Sequence, residues 1–152
     1  MKLAEALILR ADVKKRFEQL RQRLMNNAKV QDGDAPAEKP EVLLKEIEQA
    51  ANEYEDLIKK INQTNSQTEF AKGKTLSDAL AERDILILRR GIYSGLVNAA
   101  TVTQQMYSRS EIKFVSTIDV AKTQKQADKL AQQYRELDSK IQEFNWKTDL
   151  VE

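Results

Sequence analysis

Apolar side chains recur along most of this 152-residue chain at alternating steps of three and four, the period of a helix with one buried stripe. Counting in sevens from Leu3 gives Leu3, Arg10, Phe17 and Leu24, with Ala6, Val13, Leu20 and Asn27 as the companion row. This predicts a helix over about residues 2–27. The rows Leu43, Ala50, Leu57 and Ile47, Tyr54, Ile61 predict a second over 41–63. Leu76, Arg83, Arg90, Val97 with Ala79, Leu86, Tyr93, Ala100 predict a third over 76–100. Val120, Ala127, Tyr134, Ile141 with Thr123, Leu130, Leu137, Phe144 predict a fourth over 119–145. Helices of this length span roughly 38 Å each, and four of them joined by short links make an antiparallel bundle. The expected fold class is therefore all-α: one four-helix-bundle domain over 1–152.

The breaks in the pattern are as informative as the rows. NNAKVQDGDAPAEKP gathers Gly33, Pro36 and Pro40, which end the first helix and delay the second. INQTNSQT closes the second, with Asn65 expected to terminate it in the left-handed conformation and Asn145 expected to end the fourth the same way. Thr75, three residues before Asp78, fits the N-cap of the third helix. In TVTQQMYSRSEIKFVSTI, residues 101–118, helical period is lost and EIKFVST is rich in β-branched and aromatic residues. A small β-element or irregular loop is expected there, pairing either with residues 102–107 or with NAKVQ at 27–31.

Two stretches recur. LAEALILR at 3–10 aligns without gaps on LSDALAER at 76–83, and EYEDLIKKINQTNSQT at 53–68 aligns on QYRELDSKIQEFNWKT at 133–148. The Arg, Tyr, Asn and Thr matches are not demanded by a heptad, so the chain reads as two related αα-hairpins. The repeat pairs Arg10 with Arg83 and Tyr54 with Tyr134 near one bundle end. Arginine in a heptad row has two readings. Arg10 and Arg83 reach Glu5, Asp78 or Asp138 and the tyrosine hydroxyls in a polar layer that fixes register, or, with Arg90 one heptad deeper, they form an anion pocket.

Composition narrows the chemistry. Lys and Arg total 25 against 24 Asp and Glu, a formal charge of +1, so no global field attracts nucleic acid or an acidic membrane. The first two helices do differ: residues 2–25 hold seven basic and three acidic side chains, residues 38–61 four basic and seven acidic, which makes them complementary neighbours. With neither cysteine nor histidine, disulfides, thiolate or imidazole metal sites and the commonest general base are all excluded. No Gly-rich phosphate loop or nucleophile motif is present. The acids of EIEQAANEYED, Glu46, Glu48, Glu53, Glu55 and Asp56, scatter round a helix instead of forming the single stripe a magnesium cluster needs. No cofactor and no metal are expected, and catalysis is disfavoured. In YSRSEIK, Arg109 and Lys113 with Tyr107 and Phe114 offer cations and stacking rings to a single strand, although the same residues serve equally as a connector that plugs a bundle end.

The N-terminus lacks a signal-peptide pattern and no stretch reaches 18 apolar residues, so a cytoplasmic chain without membrane association is expected. MKLAEALILRAD, NAKVQDGDAPAE, INQTN, LSDALAERD, YSRSEIKFV and NWKTDL, in that order over essentially the whole chain, resemble the septicolysin-like family of small bacterial proteins. The resemblance implies no assigned activity and carries over no site residue. A cytolysin is not expected, because no long amphipathic segment is free to enter a membrane. The expectation is a non-catalytic interaction or scaffold protein that forms a homo-oligomer, with Trp146 as a candidate interface anchor and another protein as a further candidate partner. The alternatives are a binder of small anions or nucleotides through the paired arginines, perhaps enzymatic, and a single-stranded nucleic-acid binder through the 101–118 loop.

Overall fold

The computed structural model describes residues 1–102 and 113–152 of the chain. Four helices dominate them: α1 (Leu3–Asn26), α2 (Pro40–Gln67), α3 (Leu76–Ala100) and α4 (Val120–Lys147). One small antiparallel pair, β1 (Glu69–Ala71) and β2 (Lys74–Thr75), links α2 to α3. The chain falls into two compact units, Met1–Thr75 with Glu143–Glu152, and Leu76–Gln142.

In the first unit α1 and α2 run antiparallel, as their ion pairs require: Arg16 meets Glu53 while Arg23, further along α1, meets the earlier Glu38. The charge difference between the two segments thus becomes specific cross-helix contacts. Their seam is the heptad stripe, with Leu20, Leu43 and Ala50 buried together and Phe17, Leu24 and Ile47 packed on them. Pro40 opens α2 at the first helical turn, where its missing N–H costs nothing.

The polar end of α2 does not stop the helix at Asn65. Thr64 donates from Oγ1 to the Lys60 carbonyl at 2.8 Å and Thr68 does the same to Thr64, so these hydroxyls bond back into the helix instead of competing with it. Neither Asn65 nor Asn145 is left-handed; the only positive φ angles among the described residues are at Gly33 and Gly73. Of the expected β-element, residues 103–112 lie outside the described residues. Residues 113–118 form no strand, residues 27–31 form none, and the hairpin sits at 69–75, turning at Lys72-Gly73 with Gly73 at φ 72°. Its strands are too short to display alternation, so only the glycine marks it in the sequence.

The C-terminal segment closes on this unit. The Leu3 N–H donates to the Thr148 carbonyl and the Leu150 N–H to the Met1 carbonyl, both at 2.9 Å. Lys2 pairs with Asp149 at 2.8 Å, and the Val151 N–H donates to the fully buried Thr64 Oγ1 at 3.1 Å. Phe70 and Phe144 meet edge to face with centroids 5.2 Å apart.

In the second unit, α3 and α4 are joined through Arg83 and Asp138. Ala127, Leu130, Ala131 and Ile141 form the buried face of α4. On α3 only Leu76 and Ala79, in the first turn, are fully buried.

Candidate functional site

The heptad arginines fare differently. Arg83 donates from Nη1 to Asp138 Oδ1 at 3.0 Å, in a pair whose side chains keep only 24% and 29% exposure. Asp84 lies at 3.5 Å from the same guanidinium. Arg83 Nε is buried without a hydrogen-bond partner. Arg10 is half-buried on α1 and makes no ion pair among the described residues. Glu5, one of its candidate partners, is occupied at the helix start, where its carboxylate accepts the Lys2 N–H at 2.6 Å. Asp78 sits in the first turn of α3, Arg90 is exposed, and Tyr54 and Tyr134 are half-buried on α2 and α4. The structure therefore brings Arg83 and Asp138 together as the sequence suggested, but not Arg10 and Glu5.

Of the candidate loop, Tyr107 and Arg109 lie outside the described residues. Lys113 is exposed and Phe114 stands almost free in solvent.

Two surfaces extend beyond the heptad rows. The first is an open groove of about 470 Å3 between α1 and α2, floored by Phe17, Ala51, Tyr54 and Ile58 and rimmed by Lys14, Glu18, Glu55 and Lys59. Lys59 and Glu55 bond across one turn, and that bond holds the Glu55 carboxyl below its usual range. An apolar floor with a paired ionic rim offers a docking shape and no acid–base couple.

The second lies on α3. Of its half-buried residues, Arg83, Leu86, Tyr93, Val97 and Ala100 lie on the heptad rows read from the sequence, and Ser77, Leu80 and Ser94 lie beside them. A second seam, Ala81, Ile85, Leu88, Ile92, Gly95 and Ala99, steps by four and three along the opposite face, and every member is exposed. Ile85 keeps 46%, Leu88 62% and Ile92 69% of its surface in solvent. Between Ile85 and Ala100 only Arg89 and Arg90 carry charge. This seam was legible in the sequence as a second heptad register, overshadowed by the first because ILIL satisfies both.

The family model that matches residues 10–150 describes a family of unknown function, DUF6847. The chain belongs to that family. This overturns the septicolysin-like resemblance: the matching stretches are DUF6847 sequence, and nothing ties them to a septicolysin. A crystal structure described as a functionally unknown conserved protein from Corynebacterium diphtheriae is similar throughout, with 48% identity, 99% of each chain covered and a TM-score of 0.94. No curated protein matches this DUF6847 chain. No function is established for the family or for that neighbour. Among the described residues no helix is long and apolar enough to cross a membrane, and no three acidic side chains gather where they would hold a metal.

Proposed function

We propose that this DUF6847 protein is a non-catalytic interaction or scaffold protein that self-associates in the cytoplasm, built as one antiparallel four-helix domain of two related hairpins. The observation that carries this reading is α3, which bears an exposed apolar seam opposite the half-buried one. A contiguous exposed apolar seam of this kind marks a surface that another molecule covers. Trp146, 55% exposed on α4, is a further anchor of the kind interfaces use. Sedimentation velocity across low- to high-micromolar protein tests the reading. A dimer or larger species that dissociates on dilution is the expected result, and a monomer throughout that range overturns it.

Arg10, half-buried and without an ion pair among the described residues, favours a second reading, in which the arginine layer holds a small anion or nucleotide. Asp138 already satisfies part of Arg83, which favours the register layer over the pocket. If phosphate or a nucleotide raises the melting temperature of the wild type and Arg10→Met abolishes the rise, the anion reading stands. Binding of single strands through Lys113 and Phe114 is the third reading. It requires an oligonucleotide complex that survives physiological salt, since one lost there is nonspecific.

A further inference from the structure

We infer that the covering of α3 is the α3 of a second copy, lying parallel to it in register. This rests on the self-association reading and goes further by naming the surface, the orientation and the ion pairs. In heptad terms Ile85 and Ile92 occupy a positions and Leu88 a d position, the combination that favours two parallel strands. Asp84 then falls at g and Arg89 at e, five residues later, which is the spacing at which the g side chain of one helix meets the e side chain of its parallel partner. Each copy thus offers Asp84 to the partner's Arg89 and receives the reverse. The surface is complementary to itself, as a twofold dimer demands.

The antiparallel alternative that overlays the whole seam on itself places Arg89 beside the partner's Arg89 at the centre, a like-charge contact. Orientation is therefore decided by charge while affinity comes from the apolar seam. Ile85, Leu88, Ile92 and Leu96 alone present on the order of 400 Å2, about half of the roughly 800 Å2 per partner that a stable interface needs. The small residues and flanking charges beside them would have to supply the remainder.

The glycines point the same way. Gly91 and Gly95 sit inside α3, where glycine is the weakest ordinary helix former, and a side chain built at either would meet open space. Among the described residues, nothing packed on them in one copy accounts for them. Four residues apart on the exposed side, they leave room for a second helix backbone to come close, with Ala99 continuing the shallow surface.

The natural chain has no cysteine, so single cysteines report contacts directly. Ala81→Cys and Ala99→Cys are exposed sites at the two ends of the seam, roughly 27 Å apart along the helix. In the parallel pair each variant alone oxidises to a covalent dimer. An antiparallel pair gives the crosslink only when the two variants are mixed, and docking of α3 into the α1–α2 groove of another copy gives neither; both results overturn the proposal. Leu88→Glu, at a site exposed in one copy and so compatible with its folding, is expected to weaken dimerisation at least tenfold with the helical circular dichroism unchanged. Asp84→Arg is expected to weaken it as well, and the swap Asp84→Arg with Arg89→Asp to restore it.

A wild type that dimerises while Leu88→Glu dimerises equally well overturns this seam and leaves self-association standing. A wild type that stays monomeric overturns both, whether or not it binds lipid vesicles or another protein.

Discussion

Asp138 and Thr64 show what one buried polar atom does in this molecule. Asp138 accepts from Arg83 in a pair about three-quarters removed from solvent, so Asp138→Ala leaves the guanidinium only the longer 3.5 Å approach of exposed Asp84, with Nε already unpartnered. The expected loss is about 1–3 kcal/mol in urea denaturation. The double change Arg83→Met with Asp138→Leu removes both charges and is expected to recover most of that loss. Recovery identifies a register layer, whereas a double variant as unstable as Asp138→Ala rules that description out. Thr64 is wholly buried, donating to Lys60 and accepting from Val151, so Thr64→Val orphans the Val151 N–H. A loss of about 1–2 kcal/mol is expected in the same measurement. Arg10 has no such partner among the described residues, so Arg10→Met is expected to fall within about 0.5 kcal/mol of the wild type or above it.

Among the ion pairs that join elements, two hold a carboxyl at a shifted pKa: Arg23 with Glu38, ahead of α2, and Lys2 with Asp149, beyond α4. Hydrogen bonding to Arg23 holds the Glu38 carboxyl below its usual range, and hydrogen bonding to Lys2 does the same for Asp149. A depressed folded-state pKa contributes stability that is fully present above the unfolded value, about 4 for both groups, and is lost as pH falls through the folded one. Both pairs face solvent, so each contributes little. With no histidine in the chain, melting temperature is expected to stay flat from about pH 5.5 to 8 and to decline below about pH 4. A transition centred near pH 6.5 contradicts this. The same elements show where the sequence was legible. The long helices were plain because each repeats its heptad over several turns, and the α1–α2 pairing was plain from charge. The hairpin at 69–75 was hidden because five strand residues carry no period, whereas EIKFVST, of which only residues 113–117 are described, suggested a strand through composition alone. Of the arginine layer, the Arg83–Asp138 half was readable from spacing. The fate of Glu5 was not, because a first-turn carboxylate can serve its own cap as readily as a neighbour.

For the molecule as a whole, the apolar content of α3 and its exposure are hard to reconcile with a chain that works alone. A second heptad register opposite the first gives a helix two seams, and the structure covers one. If a second copy covers the other, folding and association are linked, and stability depends on protein concentration. A tenfold rise in concentration adds RT ln 10, about 1.4 kcal/mol per dimer, which corresponds to roughly 2 °C in melting temperature for a chain of this size. The wild type is therefore expected to melt about 4 °C higher when its concentration is raised about a hundredfold through the micromolar range. Leu88→Glu is expected to melt at one temperature throughout, below the concentrated wild type and close to the dilute one. A concentration-independent wild type places the cost of the exposed seam on the single chain, and self-association then no longer explains α3.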